Sequence, residues 1–227
     1  MYDMLCPGCG HRTAMMLLDD IIREKKLKER IILALDVACC SLLIDFVDYD
    51  SIMCAHGRVL DVTKGYKTVR ENAVVISYMG DGAAYSIGIE EMVHAARRND
   101  DALVVVINNG LYSMTGGQVA PTYVELSNKN ISEKSLPLGL GFKIENLVSN
   151  FPISYLARAA LSDKENIERA KKYVTTAFDK YLKSGGFNLV ELLSPCPTNY
   201  KMTPKDAADA INNQLSKIYE IGEIINA

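Results

Sequence analysis

Several large protein classes are excluded by what this chain lacks. None of its 227 residues fall in a run approaching the ~20 consecutive apolar positions that span a bilayer. The opening MYDMLCPGCG has no basic region followed by an apolar stretch, so no secretory leader is expected. Neither charge sign dominates: the formal net charge is -3, which removes the electrostatic case for nucleic acid or an anionic membrane. The densest basic stretch, Arg23 to Arg30, is interleaved with glutamate and reads as a solvated helix end. Internal repeats, low-complexity tracts, linkers and hairpin signals are missing too. The expectation is one cytoplasmic domain spanning 1–227, with no nucleic acid and no membrane as partner. What remains is ordinary: 48% hydrophobic and 23% charged residues, enough for one good core. In a reducing compartment its six cysteines are expected to be metal ligands or buried thiols rather than disulfides.

Short apolar runs alternate with amphipathic segments. IILALDV (31–37), NAVVISYMGDG (72–82), DALVVVINNG (101–110), ISYLARA (153–159) and FNLVELLS (187–194) have the length and content of strands. Helical spacing marks 12–29, 58–70, 87–99 and 164–186, the last stopped by a Gly-Gly pair. Thr203 is placed to cap a final helix, with Pro204 in its first turn and Asp206 at capping-box distance. Residues 39–57 are broken, 111–123 read as a loop, and 124–150 follow no pattern. The fold class expected is α/β, a mostly parallel sheet with helices on both faces. Ligands of such sheets bind at the carboxyl ends of strands. Four unusual segments fall there: Ala38 to Ser41, Gly80 to Gly82, Asn108 to Gly110, and Pro195 to Pro197.

Gly80-Asp81-Gly82 is followed by 25 residues and then by Asn108-Asn109. A carboxylate and an amide oxygen at neighbouring strand ends can reach one hard cation, such as a Mg²⁺ that shares its oxygen ligands with a phosphate. Gly80 and Gly82 would let the backbone turn sharply and approach that phosphate. The helix that follows would aim free N–H groups at the same anion. A diphosphate needs such compensation: one unit-charge contact at about 4 Å is worth about 4 kcal/mol at an effective dielectric of about 20.

Cys6 and Cys9, spaced by Pro7 and Gly8, could hold zinc, pair in a disulfide, or bind an iron–sulfur cluster. A Cys₄ zinc site is the main rival to a cluster, although a zinc ribbon would normally show a second C-x-x-C.

The text HGR…GDG…EEMVHAARRN…INNGLYSMTGGQVAPT, together with CPGC and SPCPT, resembles the β subunit of 2-oxoacid:ferredoxin oxidoreductases. It is closest to the branch acting on 2-oxoglutarate or branched-chain 2-oxoacids such as 2-oxoisovalerate. The resemblance implies a thiamine diphosphate (TPP) diphosphate-binding domain with cluster-ligating segments at both ends. It implies Mg²⁺ on Asp81, Asn109 and the Leu111 carbonyl. Ala38, Cys39, Cys40, Ser41, His56, Gly80, Gly82, Ala83, Ser113 and Met114 would be further cofactor contacts. A [4Fe–4S] cluster would sit on Cys6, Cys9, Cys40 and Cys196, with Cys39 as a possible substitute for Cys40. Cys54 matches no ligand position and reads as a small buried residue. His11 reads as structural. Gly116 stands where some relatives have lysine, so no basic substrate contact is carried over there. TPP would carry the chemistry, with no catalytic side chain singled out.

The activity implied is oxidative decarboxylation of a 2-oxoacid with coenzyme A, giving acyl-CoA, carbon dioxide and reduced ferredoxin. The partners implied are an α subunit with the pyrimidine domain, a γ subunit and a ferredoxin-like δ subunit. Two other readings stand beside this one: a non-redox TPP-dependent decarboxylase subunit, and a zinc-stabilised assembly subunit.

Overall fold

A computed structural model describes residues 4–126 and 141–227. Helix α1 (Gly10–Glu24) leads into β1 (Ile31–Asp36), β2 (Asp50–Cys54), α2 (Val59–Val69) and β3 (Val74–Gly80). Helix α3 (Ile89–Arg98), β4 (Ala102–Asn108) and the short pair β5 (Leu111–Tyr112) and β6 (Gln118–Val119) follow. After α4 (Glu145–Val148) come β7 (Tyr155–Ala160), α5 (Lys164–Ser184) and β8 (Phe187–Leu193). The chain ends with α6 (Pro197–Tyr200), α7 (Pro204–Ala210), α8 (Ser216–Ile218) and β9 (Gly222–Asn226).

Seven strands form one sheet in the order β2-β1-β3-β4-β8-β7-β9. Every neighbouring pair is parallel except β7 with β9. Strands β1, β4, β7 and β8 are buried at every residue, as parallel strands covered on both faces must be. One apolar cluster joins α1 and α5 to one face, and another joins α2, α3 and α4 to the opposite face. Helix α5 begins where the Asp163 carboxylate accepts the Asn166 N–H at 2.9 Å. Helix α7 begins as its sequence suggests: the Thr203 hydroxyl accepts the Asp206 N–H at 3.1 Å, and Pro204 follows. No described helix is long and apolar enough to cross a membrane.

Three strand features depart from the sequence reading. The broken region 39–57 contains β2, an edge strand on which only Cys54 is buried, so no apolar period betrays it. The loop 111–123 folds back on itself through β5 and β6, antiparallel, although no hairpin signal marks it. Strand β9 closes the far edge antiparallel to β7, where only helix was expected after Thr203. Of the unassigned stretch, 127–140 lie outside the described residues.

Candidate functional site

The chain leaves β1 for β2 on one side and crosses to β3 on the other. Such a reversal parts the loops above the sheet and opens a crevice at the strand ends. A cavity of about 250 Å³ lies there, walled by the segments after β1, β3 and β4. Of the residues expected to touch a cofactor, all but Ser41 line it. Ser41 instead donates its hydroxyl to the Ala38 carbonyl at 2.7 Å and closes the turn after β1.

Asp36, Val37, His11, Tyr112 and Thr115 also line the cavity, and sequence reasoning did not assign them to it. Asp36, fully buried, accepts the Gly57 N–H at 2.7 Å and pairs with His56 Nδ1 at 2.7 Å. One carboxylate thereby fixes both the Ala55–Gly57 turn and the imidazole on it. Against a carboxylate, Nδ1 is the ring nitrogen that donates. The sequence signal was available: an aspartate closing an otherwise apolar strand. His11 bonds the Tyr78 hydroxyl at 3.0 Å, and burial holds its imidazole down at about 4, so it is neutral at physiological pH.

Asp81 sits directly after β3. Its carboxylate accepts the Thr122 hydroxyl at 2.5 Å and the Asn109 N–H at 3.3 Å. Burial still wins over those bonds and pushes the carboxyl up to about 7. The Asn109 side-chain oxygen accepts from the Leu111 N–H at 2.9 Å and the Ser113 hydroxyl at 3.3 Å. Its neighbour Asn108 turns the other way and donates to Glu191 at 2.8 Å. Arg158 clamps Glu191 and also donates to both oxygens of Glu145, at 3.0 and 2.6 Å. The strand end carrying Asn109 is therefore braced from beneath by a buried ionic network.

Gly80 and Gly82 do not take the left-handed backbone expected of a sharp turn; Gly82 is helical at φ -62°. Gly82 is needed for space, since a Cβ there would lie 2.4 Å from the Tyr112 ring. The helix that follows opens with a wide π turn over Ala83–Ile87 before regular α3 begins. Such turns are rare and concentrate at functional sites.

The cysteines gather beside the same cavity. Gly8 (φ +76°) turns the CPGC loop, and the Cys9 N–H bonds the Cys6 carbonyl at 3.0 Å. The loop packs so closely on Pro197 and Pro204 that a Cβ on Gly8 would lie 2.6 Å from Pro204. That contact brings Cys6 and Cys9 to the segment carrying Cys196. Burial pushes the Cys9 and Cys39 thiols up to about 11. Cys6 and Cys196 add to the rise at both, and Cys39 adds to it at Cys9.

Cys40 is placed differently. It is fully buried, donates its thiol to the Asp36 carbonyl at 3.1 Å, and packs in the core. The turn after β1 is 3₁₀, which swings successive side chains by about 120°. Cys39 lies within electrostatic reach of Cys6, Cys9 and Cys196, while Cys40, which also lines the cavity, packs its thiol into the core. Cys54 is buried at the end of β2, as expected. Among the described residues no three His, Cys, Asp or Glu side chains converge as one metal ion requires. A tetrahedral zinc with Zn–S bonds of about 2.3 Å would draw its sulfurs to about 3.8 Å apart.

A parallel sheet with a cavity at its reversal point and Gly-Asp-Gly and Asn-Asn at adjacent strand ends defines a thiamine diphosphate-binding domain. Residues 37–192 match the family described as thiamine pyrophosphate enzyme, C-terminal TPP binding domain. Within that class, the chain belongs to the family of 2-oxoacid:ferredoxin oxidoreductase β subunits. It is 31% identical over 204 residues to the 2-oxoglutarate synthase subunit KorB of Archaeoglobus fulgidus, covering 88% of this chain and 72% of that one. It is also 31% identical over 223 residues to the ketoisovalerate oxidoreductase subunit VorA of Methanothermobacter thermautotrophicus. There the match covers 95% of this chain but 46% of the relative, so the chain spans about half of that protein's length.

Among solved structures, a 2-oxoglutarate:ferredoxin oxidoreductase from Magnetococcus marinus, with 2-oxoglutarate, coenzyme A and succinyl-CoA bound, superposes with a TM-score of 0.73 at 26% identity. That match covers 93% of this chain and 69% of the other. Benzoylformate decarboxylase from Polynucleobacter necessarius shares the fold alone, with a TM-score of 0.51 at 16% identity over 85% of this chain and 34% of that one.

Proposed function

We propose that this chain is the cofactor-binding subunit of a 2-oxoacid:ferredoxin oxidoreductase, holding TPP with Mg²⁺ and one [4Fe–4S] cluster. The reaction is oxidative decarboxylation of a 2-oxoacid with coenzyme A to acyl-CoA, carbon dioxide and reduced ferredoxin. One observation carries the reading: Cys39 lines the cavity and at the same time lies within electrostatic reach of Cys6, Cys9 and Cys196. A cofactor site and a four-thiol site thus share a wall, which a non-redox decarboxylase would not need.

The donor sets suit the groups. Asp81, the Asn109 amide oxygen and the Leu111 carbonyl offer hard oxygens to Mg²⁺. A cation beside Asp81 would supply the charge that its burial otherwise denies it. Gly82 keeps the floor open, and Ser113 and Met114 line the wall. The cluster's ligands are Cys6, Cys9, Cys39 and Cys196. Four soft thiolates are the donor set of an iron–sulfur cluster. When bound, TPP supplies carbanion chemistry and the cluster takes electrons one at a time. The chain's own part is placement: Asp36 orients His56, and Arg158 with Glu191 steadies the strand end that bears Asn109.

The partners proposed are an α subunit with the pyrimidine domain, a γ subunit, a ferredoxin-like δ subunit, and ferredoxin. Anaerobic purification from the native cell, with metal and cofactor analysis, tests the reading. Near-stoichiometric TPP and Mg²⁺ are expected, with four irons beyond those of the ferredoxin-like δ subunit. A colourless protein retaining TPP would overturn the redox role, and zinc without TPP would overturn the whole reading.

A further inference from the structure

One side chain joins the two sites directly. Asn199, on α6, donates its amide to the Cys196 sulfur at 3.4 Å and to the Ser113 carbonyl at 3.1 Å. Ser113 lies on the cavity loop between β5 and β6. The next residue, Tyr200, places its hydroxyl 3.1 Å from the Asn109 carbonyl and 3.2 Å from that of Val124. The Asn199 side chain is not needed to form the turn. Backbone bonds from the Tyr200, Lys201 and Met202 N–H groups to the Cys196, Thr198 and Pro197 carbonyls already close it.

We propose that Asn199 is a positioning residue that hydrogen-bonds the Cys196 thiolate and ties it to the cofactor loop, favouring the reduced state of the cluster. The inference rests on the assignment of the cluster above. An electron added to the cluster raises the negative charge on its thiolates, and an N–H donor is worth more to the more negative acceptor. Removing the donor disfavours the reduced form and lowers the potential. The same amide grips Ser113, so the bond to sulfur is referenced to the loop that faces the cofactor rather than to solvent.

The test uses the anaerobically purified complex. Redox titration followed by EPR compares wild type with Asn199→Leu, Asn199→Gln and Tyr200→Phe. Asn199→Leu is expected to lower the midpoint potential; a tenfold loss of preference for the reduced form corresponds to about 59 mV for one electron. Asn199→Gln, which keeps an amide donor, is expected to recover part of the shift. Tyr200→Phe loosens the loop while keeping the Asn199–Cys196 bond and the backbone turn, and is expected to leave the potential in place. In the wild-type complex labelled with ¹⁵N-asparagine, pulsed EPR of the reduced cluster should show coupling to a side-chain nitrogen.

An unshifted potential in Asn199→Leu, or an equal shift in Tyr200→Phe, overturns the proposal. If Asn199→Leu loads no cluster, absence of nitrogen coupling in the labelled wild type overturns it equally. A wild-type complex whose iron is all accounted for by the ferredoxin-like δ subunit refutes the underlying assignment instead, which metal analysis reveals before any titration.

Discussion

Replacing Asp81 with asparagine should stabilise the cofactor-free protein as pH rises, while destroying its capacity to hold Mg²⁺. Asp81 is buried, and its carboxyl is held up at about 7 in the fold, against about 3.9 in an unfolded chain. A raised folded value means that the folded state keeps the proton longer. The resulting stability is fully present below about pH 4 and is lost as pH climbs through about 7. A shift of about 3 units at about 1.4 kcal/mol each makes the loss about 4 kcal/mol. At 2–4 °C per kcal/mol, that is roughly 10 °C of melting temperature. Asparagine keeps the shape, and the Thr122 hydroxyl can turn to accept from its amide.

The assay is thermal unfolding of the cofactor-free protein from pH 4 to pH 8, wild type against Asp81→Asn. Terms common to both, including the opposing titration of buried His11, cancel in the difference. The variant should gain steadily on the wild type across that window. Mg²⁺ with TPP at pH 8 should then raise the wild-type melting temperature and leave the variant's unchanged. Parallel pH profiles for the two proteins would refute the argument that burial dominates Asp81. Equal stabilisation of both by Mg²⁺ and TPP would refute its role as a cation ligand.

Three further outcomes follow from the same geometry. Arg158→Met strands Glu191 in the core and should cost about 3–5 kcal/mol; in chemical denaturation, adding Glu191→Gln should recover part of it, and a neutral single variant would contradict the network's importance. Gly82→Ala forces a methyl to 2.4 Å from the Tyr112 ring. It should cost about 1–3 kcal/mol and sharply weaken TPP binding by calorimetry, whereas unchanged affinity would mean that the floor of the cavity is not where the cofactor lies. Cys39→Ser should lose or convert the cluster by EPR and iron content while Cys40→Ser retains it, and the opposite result would restore Cys40 as the ligand.

The parts legible in the sequence are those with a local signal. Strands β3 and β4 are apolar runs that end in Gly-Asp-Gly and Asn-Asn, so both their burial and their chemistry can be read directly. Helix α5 carries its amphipathic period and its Gly-Gly stop in the text, and α7 its cap at Thr203. What stayed hidden depends on angles or on distant pairing. The choice between Cys39 and Cys40 turns on a 3₁₀ turn, whose rotation no spacing rule reveals. Strand β2 is half exposed, with no apolar period, and is a strand because β1 offers it an edge. Asp36 and His56 are 20 residues apart and meet only because β1 and the turn after β2 end side by side. The link from Asn199 to both Cys196 and Ser113 required the fold of the last helices, of which the sequence marks the start of α7 but not the placement of Asn199.

The central claim is that the cavity and the cysteine cluster act as one redox unit. It is tested most directly by adding a 2-oxoacid and coenzyme A to the anaerobic complex without an external acceptor, and then with ferredoxin. The account predicts that the iron–sulfur absorbance bleaches, a reduced-cluster EPR signal appears, and ferredoxin becomes reduced as acyl-CoA forms. Release of carbon dioxide from the 2-oxoacid with the cluster still oxidised and ferredoxin untouched would contradict it.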